Sequence, residues 1–172
     1  MEQQLLNLLM YTVPSIITGA IAYLFFREHM QNEEERRKFN IVKTLSKESL
    51  PVRLQAYERI TLFLERISPN KLLLRVAPVS SDKQAYEDLL IKNIEQEFEH
   101  NLSQQIYLSN DCWTIVNASK SATIQLIRKA GMSDKIDSAS KLRETILSEM
   151  IDKPAPSNAG LHYIKKEVGE IW

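Results

Sequence analysis

The chain has 172 residues, and its 22 Lys plus Arg balance 22 Asp plus Glu, so its formal net charge is zero. This balance lacks the basic excess that binding to phosphates requires, so we exclude nucleic acid as an expected partner. Only four Gly and six Pro occur, and long stretches consist of good helix formers, which predicts an all-α fold.

The amino-terminal segment is apolar and uncharged. No charged residue lies between Gln3 and Phe26, and eleven of the 22 positions from 5 to 26 are Leu, Ile, Val or Phe. As a helix this stretch would be about 33 Å long, enough for a hydrocarbon core of about 30 Å. The pattern therefore predicts one transmembrane helix, with the membrane as a partner.

A cleaved signal peptide is the alternative, because Ala20 and Ala22 match a small-x-small cleavage pattern. It is disfavoured, since Glu2 replaces the usual basic start. The basic residues Arg27 and Lys43 follow the segment and none precedes it, which predicts an external amino terminus and a cytoplasmic soluble domain at a bacterial inner membrane. Small residues spaced four apart, such as Ser15 and Gly19, make a homo-oligomer possible.

Four regions are predicted along the chain. Residues 1–26 form the anchor, and the highly charged residues 27–48 read as a helical stalk that continues it. Residues 49–151 are expected to form a compact helical bundle, and a break is expected before Pro51. Residues 152–172 comprise a proline-containing linker and an amphipathic carboxyl-terminal helix.

The helix predicted from Pro51 to Ile67 is apolar around most of its circumference, so it should lie at the centre of the bundle, with Phe63 buried. It also carries charged and hydroxyl side chains, some of which recur with a spacing of seven residues. We interpret these as buried structural ion pairs, with a solvated stripe or a partner-binding site as alternatives. The candidate residues are Arg53, Tyr57, Glu58, Arg59, Glu65 and Arg66.

Further helices follow. A short helix is favoured at 71–76, and Ser81 and Gln84 form a capping-box pattern for a long helix that ends near Leu108. Ser109 begins another helix, which stops at Gly131. The next is expected over 133–151, and the last amphipathic pattern runs from 161 to 171.

No motif for cofactor, metal or catalytic chemistry is convincing. Glu97 and His100 have the Glu-x-x-His spacing of di-iron bundles, but the second such motif that these sites need is missing. His100 is therefore expected to be a surface or helix-capping residue. The single cysteine, Cys112, cannot form an internal disulfide, which fits a cytoplasmic location. It would be a nucleophile only beside a histidine brought close by folding. We therefore predict no metal and no cofactor.

The segment from Leu50 to Ile67 resembles the hallmark stretch of an uncharacterised family of bacterial membrane-anchored helical proteins. The similarity extends more loosely to the preceding apolar helix, to Asp111-Cys112-Trp113 and to the Lys-Glu-Val sequence that ends at Val168. The resemblance implies an inner-membrane anchor with a helical cytosolic domain. It implies no reaction and no catalytic residues.

Two functions are compatible with these features. The favoured one is a membrane-anchored binding or scaffolding protein with a protein partner of unknown identity. Such a protein could be a subunit of a membrane complex. The alternative is an enzyme whose site is assembled from Glu, Arg and Tyr across helices, around Tyr57, Glu58 and Arg59. A pocket with converging polar groups would favour the enzyme, whereas an exposed apolar or charged patch would favour the binding protein.

Overall fold

The computed structural model of the chain describes the backbone of residues 2–170. The side chains of residues 2–9, 11, 13, 15, 31–32, 35 and 42–48 lie outside the described set. Predictions that rest on Ser15, on Lys43, on Ile171 at the end of the last apolar stripe or on Trp172 therefore fall outside the described residues.

The described part of the chain is helical, with 85% helix and no strands, which confirms the predicted all-α class. The elements are α1 Glu2–Ile67, α2 Pro69–Arg75, α3 Lys83–Asn101, a 3₁₀ helix Leu102–Tyr107, α4 Asn110–Gly131, α5 Ala139–Asp152 and α6 Ser157–Gly169. The chain divides into two compact units, Met1–Ser49 and Leu50–Trp172. The predicted boundaries of the four regions stay predictions.

The first unit consists of the amino-terminal part of α1. Among the described residues, no helix is both long and apolar enough to cross a bilayer. The predicted transmembrane helix at 5–26 is therefore wrong, and so is the single-pass inner-membrane location derived from it. The described part of this segment has less apolar surface where polar or small residues interrupt it, at Thr12, Pro14, Thr18 and Gly19. Arg27 ends the apolar run.

The second unit is built around the last turns of α1. One stripe of this helix is buried, as its periodicity predicts, and it includes Ile60, Phe63 and Ile67, all with no exposed surface. The Phe63 ring lies 5.6 Å from that of Phe98 on α3, measured between ring centroids. These contacts place α1 in the same apolar core as α3.

An aromatic stack extends that core to α4. The rings of Phe98 and Trp113 are stacked with centroids 5.4 Å apart and an interplanar angle of 21°. The ammonium group of Lys120 lies 4.1 Å from the centroid of Phe98 and pairs with Glu95 at 2.9 Å. A cation over an aromatic face is attracted by the ring quadrupole, so Lys120 stabilises the junction of α3 and α4.

Helix α6 makes a close approach to α1 and α4 at Gly160. A Cβ atom added to Gly160 would lie 2.8 Å from Cδ1 of Leu64 and 3.0 Å from Oγ of Ser119. Any larger residue must displace the buried Leu64 side chain. The absence of a side chain therefore sets the separation of these three helices.

The helix ends show where local signals succeed and fail. Ser109 caps α4, as predicted, because its hydroxyl accepts a hydrogen bond from the backbone amide of Cys112 at 3.1 Å. The cap of α3 is Asp82 rather than Ser81, and it accepts from the amide of Gln84 at 2.9 Å. Ser81 instead uses its backbone carbonyl to accept from the amide of Ala139, which holds the start of α5.

Candidate functional site

Three of the six candidate residues line one cleft between α1 and α3. Its volume is about 410 Å³. We call it the charged cleft, and its lining residues are Gln55, Glu58, Arg59, Leu62, Arg66, Glu97, His100 and Asn101.

Helical spacing brings these side chains together. On α1, Gln55, Arg59, Leu62 and Arg66 recur at three- and four-residue intervals and so lie along one side of the helix. On α3, Glu97 and Asn101 are four residues apart and face that side of α1. The cleft therefore forms where these polar faces of α1 and α3 lie side by side at the surface. The same two helices are in contact through the rings of Phe63 and Phe98.

One ion pair crosses the charged cleft. Nε of Arg66 lies 3.0 Å from a carboxylate oxygen of Glu97, and the two side chains are 49% and 18% exposed. Within the described part of the chain, the side chains of Glu58 and Arg59 make neither an ion pair nor a hydrogen bond, and both residues are exposed. At one end of the cleft the Arg66 charge is paired with Glu97, whereas the charges of Glu58 and Arg59 on the same helix are unpaired within the described residues.

The remaining candidate residues lie elsewhere. Glu65 forms an ion pair at the surface with the ammonium group of Lys71 on α2. Arg53 donates from Nε to the carbonyl of Tyr107 at 3.4 Å. Tyr57 is buried, and its hydroxyl belongs to a second polar cluster, so the structure does not bring all six candidates into one site.

That second cluster is organised by Glu167 on α6, and we call it the Glu167 cluster. Its carboxylate accepts hydrogen bonds from the Tyr57 hydroxyl at 2.5 Å, from the Ser109 hydroxyl at 2.8 Å and from the Ser109 amide at 3.3 Å. The Cys112 thiol lies close enough to this carboxylate to help lower its pKa. A single carboxylate therefore connects α6 with α1 and with the amino-terminal cap of α4.

The pKa values in the Glu167 cluster follow from this arrangement. Burial raises the pKa of the Glu167 carboxyl, but the hydrogen bonds from Tyr57, Ser109 and Cys112 outweigh it, so the pKa lies below its ordinary value. Burial, together with the hydrogen bond to Glu167, raises the pKa of Tyr57 to about 12. Burial and the Glu167 charge raise the pKa of Cys112 to about 12.

These shifts bear on the chemistry available to Cys112. A nucleophilic cysteine needs a lowered pKa, since the thiolate is the reactive form. A thiol with a pKa of about 12 stays protonated at neutral pH. The geometry thus favours a structural role for the Glu167 cluster over a catalytic one.

Metal binding has no support in the described part of the chain, which contains no group of three or more His, Cys, Asp or Glu side chains suited to an ion. Glu97 and His100 both line the charged cleft, but the Glu97 carboxylate is engaged by Arg66. His100 is exposed, as the sequence predicts.

Glu167 was not among the candidate site residues predicted from the sequence. It lies 110 residues from Tyr57 and 58 from Ser109, so no local spacing connects the three side chains. The available signal was indirect, since Ser109 is a recognisable cap and Glu167 lies in the Lys-Glu-Val sequence that ends at Val168. Only folding shows that the two belong together.

Comparison with known proteins gives a family without an activity. A family model described as a family of unknown function (DUF7935) matches residues 3–171. No curated protein and no solved structure matches the chain. The expected resemblance to an uncharacterised family is confirmed to that extent, and the bacterial origin stays a prediction.

Proposed function

The chain belongs to this family of unknown function, and since membership assigns no activity, we propose from the charged cleft that it is a binding or scaffolding protein that recruits a protein partner. The observation that carries the proposal is the state of Arg59. This guanidinium is exposed, lines a cleft and has no ion pair or hydrogen bond within the described residues. Its charge is therefore available to a partner.

The composition of the charged cleft supports a protein partner. Leu62 is 54% exposed in the middle of the stripe, with Arg59 and Arg66 one turn away on either side. An apolar contact surrounded by arginine and other polar groups is typical of protein interfaces, in which arginine is enriched. The expected partner surface presents an apolar side chain to Leu62 and a carboxylate to Arg59.

The enzyme alternative does not gain comparable support. It requires Tyr57, Glu58 and Arg59 to act together, but the Tyr57 hydroxyl is hydrogen-bonded to Glu167, whereas the other two line the charged cleft. A pKa of about 12 also makes the Tyr57 hydroxyl a poor acid near neutral pH. The arrangement therefore favours binding.

The first test asks whether the charged cleft is occupied in cells. A photo-crosslinking amino acid replaces Gln55, which lines the cleft, and in a parallel variant it replaces Gln125, an exposed residue of α4 outside it. A discrete cross-linked species that forms from position 55 and not from position 125 is expected. Equal patterns from both positions would contradict a partner at the cleft.

The second test separates binding from stability. Arg59→Ala, made in the Gln55 cross-linking variant, should abolish the cross-linked species while leaving the thermal midpoint unchanged, because Arg59 has no ion pair or hydrogen bond to lose within the described residues. Lys165→Ala, which removes an exposed charge from α6, serves as the matched control and should retain the cross-link. A cross-link that survives Arg59→Ala would refute the assigned role of Arg59.

A further inference from the structure

The charged cleft is a groove between two antiparallel helical elements. Along α1 the residue number rises while it falls along α3 and the 3₁₀ helix that follows it. Three contacts show this direction: Arg53 with Tyr107, Phe63 with Phe98 and Arg66 with Glu97. A groove between two helices that lie side by side has the geometry into which a third helix packs.

The α1 wall of the groove presents two cations with an apolar side chain between them. Arg59 and Arg66 are seven residues apart, and Leu62 lies between them. At a rise of 1.5 Å per residue, seven residues correspond to about 10.5 Å along the helix. Seven residues are also nearly two full turns, so the three side chains project from the same side of α1.

All three side chains are accessible to a partner. Leu62 is 54% exposed, and the Arg59 side chain has no ion pair or hydrogen bond within the described residues. Arg66 pairs with Glu97 through Nε, but its side chain is 49% exposed. Because a guanidinium group has five N–H donors, Arg66 can hold a second carboxylate while it keeps Glu97. Glu58 borders this row, about 100° around α1 from Arg59, and faces the flank of whatever docks there.

The spacing of the two arginines excludes a single small anion as the occupant. Glu97 holds Arg66 toward α3, and Leu62 lies between the arginines, so the two guanidinium groups do not converge on one ion. A phosphate or a carboxylate is too small to bridge about 10.5 Å.

The same spacing distinguishes a helix from an extended peptide. A strand covers about 10.5 Å with three residues, and residues three apart in a strand point to opposite faces. A helix repeats the rise and the turn of α1 itself, so its residues at i and i+7 lie on one face at the matching distance. A helix is therefore the element that brings two carboxylates to Arg59 and Arg66 together.

We propose that the charged cleft binds an α-helix of the partner that carries two acidic residues seven positions apart, with a large apolar residue between them. The acidic residues meet Arg59 and Arg66, and the apolar residue packs on Leu62. This inference rests on the proposed binding function and adds to it the kind of partner surface that the cleft accepts.

A designed peptide tests this pattern with the full chain. The fluorescent probe has about 20 residues, a length at which an alanine-rich sequence is helical. It carries two glutamates seven positions apart and one leucine, placed three residues after the first glutamate in one version and four in another, to cover both directions. Alanine and lysine fill the other positions, so Glu58 also meets a basic side chain. Fluorescence anisotropy at low salt, up to about 1 mM protein, should show saturable binding of one version.

Two control peptides test the spacing and the helix separately. In the first, the second glutamate changes places with the residue two positions before it, which moves it about 140° around the helix at the same composition. In the second, proline replaces a central alanine and breaks the helix. The dissociation constant of each should be at least about tenfold higher, because the two carboxylates no longer reach both arginines.

Charge reversal in the chain assigns the contact to Arg59. Arg59→Glu should raise the dissociation constant at least about tenfold, because a carboxylate then faces a carboxylate. The version that binds fixes which glutamate faces position 59, and a peptide with lysine there should regain binding to this variant. Lys141→Glu, which reverses an exposed charge on α5 outside the cleft, is the matched control and should leave binding unchanged. Circular dichroism checks the fold of both variants.

Two results would overturn the inference. One is the absence of saturable binding for both versions of the peptide. The other is binding that does not distinguish the matched peptide from the two control peptides, or the original chain from Arg59→Glu. If the cross-link from Gln55 still forms and depends on Arg59, either result rejects the acidic helix and retains a partner at the cleft. If the cross-link is absent while the matched peptide binds, the cellular partner is rejected instead, so the two failures are distinguishable.

Discussion

Replacement of Glu167 by Gln removes the negative charge at the centre of the Glu167 cluster while preserving the shape of the side chain. The carboxylate accepts from two hydroxyl groups, those of Tyr57 and Ser109. A hydrogen bond to a charged group contributes about 1.5 to 3 kcal/mol and a neutral one about 0.5 to 1.5 kcal/mol. The loss is about 1 kcal/mol for each hydroxyl donor, so Glu167→Gln should lower the free energy of unfolding by about 2 kcal/mol.

The pH dependence of this difference is a second, independent signature. Because the pKa of Glu167 is lowered in the folded chain, its ionised form stabilises the fold above the unfolded pKa, and that contribution is lost as pH falls through the folded value. Glutamine does not titrate. The difference in unfolding free energy between the two proteins should therefore be full near neutral pH and shrink as the pH falls below 4.5, the ordinary pKa of a glutamate carboxyl.

Urea denaturation followed by far-ultraviolet circular dichroism measures both effects, at pH 7 and at successively lower pH. Glu170→Gln is the matched control, since Glu170 directly follows α6, three residues after Glu167, and its side chain is 67% exposed. The control should change the unfolding free energy by less than about 0.5 kcal/mol. A loss that small for Glu167→Gln, or one that does not vary with pH, would refute the account of this cluster.

Three further substitutions test the packing of the second unit by the same denaturation measurement. Gly160→Ala should lower the free energy of unfolding by about 1 to 3 kcal/mol through overpacking. Gly169→Ala should not lower it, because an added Cβ at Gly169 has nothing within 4 Å. Equal effects would show that close approach at Gly160 does not hold α6 in place. Phe63→Ala should cost about 3 to 5 kcal/mol because it opens a cavity under the aromatic stack, and a loss below about 1 kcal/mol would place Phe63 outside the core. Ser157→Ala removes a buried hydroxyl that has no partner within the described residues and should raise stability by about 1 kcal/mol, so a marked loss would reveal an acceptor for that hydroxyl.

Hydrophobic periodicity predicted much of the second unit because helices bury one stripe, and the stripe is readable in the sequence. Ile60 and Phe63 are buried as expected, and α4 begins after Ser109 and ends at Gly131. Local signals were less reliable at Pro51, where a break was predicted and α1 continues. The fixed φ of proline is compatible with a helix, so the residue weakens helical hydrogen bonding without forcing an end.

The candidate site was predictable only in part. Glu58, Arg59 and Arg66 could be identified as a stripe on one helix, but their proximity to Glu97 depends on how α1 packs against α3. Likewise, no sequence pattern distinguishes Tyr57, which is directed to Glu167, from its charged neighbours in the cleft. The apolar run at 5–26 led to a wrong transmembrane prediction, since no described helix is both long and apolar enough to cross a bilayer.

The aromatic stack provides an optical reporter of the interior. The chain has two tryptophans, and in a Trp172→Phe variant the indole of Trp113 would be the sole source of tryptophan fluorescence. Its ring is stacked on Phe98, which also contacts Phe63 and Lys120. Separation of α1, α3 and α4 would expose the indole to water and shift its emission to longer wavelength. One unlabelled spectroscopic signal thus follows the assembly of three helices contributed by distant parts of the chain.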